Sequence, residues 1–99
     1  MNNPETHYVY ILQCADGTLY TGYTNDLEKR LKQHNEGTEG AKYTRYRRPC
    51  KLVYHEEYDD KTDALKREYY IKHKMMKDEK MALIASYNEK LPSADKIMH

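Results

Sequence analysis

Tryptophan and phenylalanine are absent from this 99-residue chain, glycine and proline number four and three, and there are two cysteines. Without Trp or Phe, the aromatic part of any core must come from the eleven tyrosines, whose hydroxyls need partners once buried. Cys14 and Cys50 lie far apart in the chain, with no Cys-x-x-Cys pair and no regularly spaced His. That pattern argues against a zinc site and a disulfide framework, and makes a reduced cytoplasm the expected compartment. No apolar run approaches the length needed to cross a bilayer, and Met1–Glu5 lack the basic and apolar regions of a signal peptide, so a soluble, unprocessed chain without membrane contact is expected. No charge of one sign dominates either. Charged residues make up 33% of the chain yet nearly cancel to +1, so any basic surface must be local. The length suits one domain, expected over 1–99 with its core at 7–91 and a frayed tail at 92–99.

What is present reads as a ββαβαα string. From His7 to Cys14 apolar and aromatic residues occupy both parities (Tyr8, Tyr10, Leu12; Val9, Ile11), the pattern of a central strand covered on two faces. A second β-prone run covers Thr18–Thr24. Between them, Ala15-Asp16-Gly17 suits a three-residue hairpin loop with Gly17 in the left-handed conformation; a two-residue Asp-Gly turn is the competing register. With three loop residues Leu12 faces Tyr20 and Tyr10 faces Gly22, which puts both tyrosines on one face. A helix is predicted from a cap at Asn25 or Thr24, with Glu28 as box partner, to Asn35, carrying Leu27 and Leu31 inward and Arg30 and His34 along one edge. Glu36 to Lys51 reads as a loop with one helical turn at most, Lys51–Tyr58 as a third strand, and Thr62–Met75 and Asp78–Leu91 as helices, the last ending at Pro92. The fold class is α+β, a three-stranded antiparallel sheet flanked by helices.

The chemistry is carried by residues in unexpected places. Glu68 falls on the apolar stripe formed by Ala64, Leu65, Ile71 and Met75, where an unpaired carboxylate is penalised and calls for a cation, donors or a metal. Lys80 aligns with Ile84, Tyr87 and Leu91 in the same way, so that the two could simply pair. Taken singly, Arg30 and His34 read as a solvated helix face, and Tyr10 and Tyr20 as core. Taken together, a hydroxyl able to relay a proton, a guanidinium suited to phosphate and a carboxylate for a hard cation are the parts of in-line attack on a phosphodiester. Between Lys42 and Lys51, Arg45, Arg47 and Arg48 alternate with Tyr43 and Tyr46 without an acidic residue, a composition that neutralises phosphates and stacks bases.

Tyr8-Val9-Tyr10, then Tyr20-Thr21-Gly22, then Arg30, His34 and the distal Glu68 resemble the GIY-YIG nuclease core over residues 7–85, in its compact single-domain bacterial branch. The resemblance implies a metal-dependent endonuclease that leaves a 5′-phosphate and a 3′-hydroxyl. In that reading Tyr20 acts as general base on water, directly or through a relay, and Tyr10 orients that water or the scissile phosphate. Arg30 stabilises the phosphorane, His34 supports a phosphate oxygen or shares the proton traffic, and Glu68 is the sole protein ligand of one Mg²⁺ or Mn²⁺. Lys80 stands where many members carry Asn, and Tyr23 where some repair nucleases carry Lys. Nucleic acid, DNA foremost, is the implied partner, bound by Lys42, Arg45, Tyr46, Arg47, Arg48 and Lys51. Specificity would be weak or supplied by a protein partner, and the rival readings are a binding module without turnover and a protein-interaction domain.

Overall fold

A computed structural model describes residues 5–37 and 42–90. The elements are β1 (His7–Gln13), β2 (Leu19–Thr24), α1 (Leu27–Glu36), α2 (Lys42–Arg45), β3 (Lys51–Tyr58), α3 (Lys61–His73) and α4 (Lys77–Lys90). The expected tail at 92–99, with Leu91 and Pro92, lies outside the described residues.

β1 is central, in the order β2-β1-β3, and both pairings are antiparallel. Its apolar residues on both parities are explained by a helical layer on each face. On one face Val9, Ile11 and Val53 bury against Ala64 and Ile71 of α3 and Ile84 of α4. On the other, Tyr10, Leu12, Cys14 and Cys50 bury with Tyr20, Leu52 and the α1 residues Leu27 and Leu31. The register between β1 and β3 breaks between Ile11 and Leu12, where Val53 is the extra residue of a bulge.

The hairpin takes the three-residue form. Cys14 N–H donates to the Thr18 carbonyl at 2.9 Å and Gly17 adopts φ +85°, which a residue with a Cβ would resist. Leu12 therefore pairs with Tyr20 and Tyr10 with Gly22.

The α1 cap corrects the sequence expectation. Asp26, not Asn25 or Thr24, accepts from Lys29 N–H at 3.1 Å, and the Thr24 hydroxyl instead accepts from Asp26 N–H at 3.1 Å to shape the turn. Glu28 sits one position too early for a capping box and only complements the dipole of the first turn. Asp60 caps α3 by accepting from Thr62 N–H at 2.7 Å. Leu65, expected on the inner stripe, is 41% exposed. With Ala64 and Ile71 turned to the sheet, the next residue is rotated about 100° away. A bidentate bond from Arg67 to Glu56, at 3.0 Å through each guanidinium nitrogen, ties α3 to β3, and Tyr54 and Tyr58 donate to the same carboxylate.

Candidate active site

The hairpin register sets Tyr10 and Tyr20 on one face with their ring centroids 6.4 Å apart. α1 lies across that face. His34, which the sequence alone would leave on a solvated edge, is wholly buried, with its ring edge-on to Tyr10 at 5.7 Å and to Tyr20 at 5.0 Å. His34 Nε2 meets the Tyr10 hydroxyl at 2.7 Å and Nδ1 meets the Thr44 hydroxyl of α2 at 2.7 Å. Arg30, one turn earlier on α1, lies close enough to pull on the Tyr10 hydroxyl and is itself held by Gln33 Oε1 at 3.1 Å. With a neutral imidazole one ring nitrogen of His34 donates and the other accepts, so the hydroxyls of Tyr10 and Thr44 take complementary roles in the chain.

Burial pushes the Tyr10 hydroxyl up to about 12, against the opposing pull of Arg30, so it stays protonated. Burial, reinforced by Arg30 and Arg48, drives His34 down to about 4, so the imidazole is neutral at physiological pH. Gly22 lies directly under the Tyr10 hydroxyl, and a Cβ there would overlap the phenol oxygen and Cζ. The glycine of the second signature is thus the floor on which the tyrosine of the first one rests.

α3 approaches from the other layer. Glu68 is half-buried, contributes to the field at Tyr10, and pairs with Lys72 at 3.9 Å. Lys72 in turn stands 5.6 Å over the Tyr20 ring. Tyr20, on the edge strand β2, therefore touches both α1 and α3 and bridges the two helical layers. Tyr10 and His34, read from the sequence as core filler and as a solvated helix edge, are both buried, 1% and 0% exposed, with their polar atoms engaged in one chain with Thr44. Glu68 pairs with Lys72, and Lys80 stands beside Lys77, Thr18 and Leu19 at the hairpin end of β2, so no Glu68–Lys80 pair forms among the described residues.

The basic segment divides. Arg48 donates to the carbonyls of His34 (2.5 Å), Gln33 (3.3 Å) and Gly37 (2.6 Å), closing the C-terminal end of α1. Arg47 pairs with Asp16 of the hairpin at 3.1 Å, an acidic neighbour invisible in the local sequence. Arg45 and Tyr46 remain on the surface, Tyr46 84% exposed with the Arg45 guanidinium 5.7 Å from its ring, and Lys51 is exposed. Lys42 begins α2, and its side chain lies outside the described set.

The profile of the GIY-YIG catalytic domain family matches residues 6–82. The chain belongs to the GIY-YIG family. Similar proteins include a UPF0213 protein of Staphylococcus saprophyticus, 60% identical over 68 residues that cover 69% of this chain and 82% of that protein. Another, from Clostridium perfringens, is 54% identical over 90 residues, 91% of this chain and 95% of that protein. Among solved structures, the UPF0213 protein of Bacillus halodurans is 44% identical, with a TM-score of 0.53 over 82% of this chain and 84% of that one. A protein of E. faecalis is 37% identical, with a TM-score of 0.62 over the full length of both. The GIY-YIG domain here thus has the nuclease-like fold in its small single-domain form, and no helix among the described residues is long and apolar enough to cross a membrane.

Gly22 was already placed opposite Tyr10 by the hairpin register. Thr44, Gln33 and Lys72 join the cluster without a sequence signal that sets them there: Thr44 and Lys72 depend on how α2 and α3 fold back over the sheet, and Gln33 on its place one turn along α1 from Arg30.

Proposed function

We propose that this chain is a metal-dependent endonuclease that hydrolyses nucleic-acid phosphodiesters, DNA foremost, to 5′-phosphate and 3′-hydroxyl ends. The observation that carries this reading is the convergence of Tyr20, Arg30 and Glu68, from three different elements, around a buried Tyr10–His34–Thr44 chain. Few tasks other than phosphoryl chemistry need a guanidinium, a phenol and a half-buried carboxylate on one patch.

The residues fit a single hard cation. No group of three or more His, Cys, Asp or Glu is placed to hold a metal among the described residues, so one ion would take Glu68 and complete its shell with water and phosphate oxygens, the habit of Mg²⁺ or Mn²⁺. Bound there, it would supply Lewis-acid polarisation of a phosphoryl oxygen. Tyr20 is the less buried of the two tyrosines, and as a phenolate that has already given its own proton to solvent, or through a relay, it takes the water proton as the nucleophile forms. Arg30 spreads its charge over the phosphorane. The buried tyrosine and histidine hold Arg30 and Tyr20 at their spacing, and Lys72 offers a second cation to the phosphate. Arg45, Tyr46 and Lys51 bind the flanking strand, with target choice left to the nucleic-acid structure or to a protein partner, and the cytoplasm is the compartment where such a substrate is met.

A binding module without turnover is the second reading, favoured by the Glu68–Lys72 ion pair, which occupies the carboxylate a metal would need. Labelled single-stranded, duplex and branched substrates incubated with and without Mg²⁺ or Mn²⁺ decide between them. Scission that requires both metal and Arg30 supports the nuclease. Retention on a gel without scission, in either metal, selects the binding module.

A further inference from the structure

Cys14 and Cys50, distant in sequence, meet in the fold with their Sγ atoms 3.1 Å apart, and both are free thiols. Cys14 immediately follows β1 at the mouth of the hairpin, while Cys50 immediately precedes β3. The backbone around them is fixed on both sides. Ala15 N–H donates to the Arg47 carbonyl at 2.9 Å. The Asn35 side chain clasps Cys50, donating to its carbonyl at 2.7 Å and accepting from its N–H at 2.7 Å. Asn35 is the residue after His34, so the dithiol is tied to the helix that carries the site. A surface pocket of about 440 Å³, lined by Cys14, Gly17, Pro49 and Lys51, adjoins the dithiol on the Cys14 side. Cys50 does not line it.

We propose that Cys14 and Cys50 are an oxidisable dithiol, a modification site that a hydroperoxide converts into an intramolecular disulfide joining the hairpin to the start of β3. The pocket admits the peroxide beside Cys14, whose sulfur attacks one peroxide oxygen as the O–O bond breaks; the thiol proton goes to the departing oxygen, giving a sulfenic acid and, from hydrogen peroxide, a first water. The Cys50 sulfur then attacks the sulfenic sulfur; its proton leaves with the departing oxygen as a second water, and the two thiols have together supplied two electrons to one peroxide. Burial, with Cys14 beside it, pushes the Cys50 thiol up to about 12, which suits a resolving thiol that keeps its proton until the sulfenic oxygen receives it. The bond would close a covalent loop from residue 14 to residue 50 around α1, α2 and the basic segment, restricting the unfolded chain. It would be a transient, reducible state rather than a structural disulfide, in keeping with a reducing compartment.

The test uses the wild-type chain, treated with equimolar hydrogen peroxide, then denatured and alkylated without reductant before intact-mass measurement. The expected product is a monomer that has lost two hydrogens and takes up no alkyl group, both thiols returning on reduction. Its melting temperature should exceed that of the reduced chain by about 10 °C or more. Cys50→Ser should accumulate a dimedone-reactive sulfenic acid at Cys14, and Cys14→Ser should leave Cys50 unoxidised at the same dose. A monomer with two alkylatable thiols overturns the proposal. So does a disulfide found only between chains, or over-oxidation of Cys14 with Cys50 still free.

Discussion

Glu68 is the residue on which the catalytic reading turns. Its side chain is 20% exposed and its ion-pair partner Lys72 sits at the long distance of 3.9 Å on the same helix. Such a contact stabilises by about 0.3–0.5 kcal/mol. Glu68→Gln keeps the volume and removes the anionic oxygen, so we expect a melting temperature close to wild type, retained nucleic-acid binding and no metal-dependent scission; unfolding of the variant would make Glu68 a structural residue instead. Thr21 gives a prediction of opposite character. It sits in the second signature, 3% exposed, and its hydroxyl is the one buried side-chain polar atom among the described residues with no partner. Thr21→Val replaces that hydroxyl by a methyl of similar size and should raise stability by about 1 kcal/mol, read as a higher denaturant midpoint at unchanged slope. A lower midpoint would mean that the hydroxyl has a partner, such as a buried water.

Among the elements, α1 and the segment that follows it respond differently to loss of an arginine. Arg48 closes the end of α1 through three carbonyls, one of them that of His34. Arg48→Ala leaves partly buried carbonyls unpaired and should cost about 1–3 kcal/mol by denaturant titration. Arg45→Ala, on the exposed α2 surface beside Tyr46, should leave stability unchanged and reduce the slope of log affinity against log salt by about one. Equal salt slopes for Arg45→Ala and wild type would place the nucleic acid elsewhere. The sequence could not separate these two arginines, because the acceptors of Arg48 lie on another element. The elements themselves were legible: a run apolar on both parities marked the central strand and two further β-prone runs its neighbours, while Ala15-Asp16-Gly17 favoured the three-residue loop that the Cys14–Thr18 bond selects over a two-residue turn. The burial of His34 was not, since a thin ridge of Leu27 and Leu31 says nothing of α2 covering the next edge with Thr44. Nor was the meeting of Cys14 with Cys50, which follows from β1 and β3 being neighbours.

At the scale of the whole molecule, the buried titratable groups bound the pH range of stability. His34 titrates near 4 when folded and near its ordinary 6.5 when unfolded. Between those values the unfolded chain binds the extra proton, so stability is full above 6.5 and falls as pH drops toward 4, by about 3 kcal/mol in total. On the alkaline side, burial raises Tyr10 and Tyr58 to about 12 and raises Tyr54 as well, Glu56 adding to the effect at Tyr54 and Tyr58. Their folded forms hold protons that the unfolded chain releases near 10, and stability should decline above that pH. Thermal melts from pH 4 to 11 should trace both limbs, and His34→Gln should flatten the acid one. An acid limb of undiminished slope in that variant would assign it to other groups.

β1 carries, on alternate residues, the inward side chains of both cores, and Tyr10 is one of them. β1 cannot move away from the Tyr10 side while leaving the opposite layer intact, because the strand between the two cores is shared. Amide hydrogens of Val9, Tyr10 and Ile11 should therefore exchange only through the global opening of the chain, with protection equal to the full unfolding free energy. Heating should extinguish the site and the fold at one temperature, so that the scission proposed above would fall in step with the fraction of folded molecules.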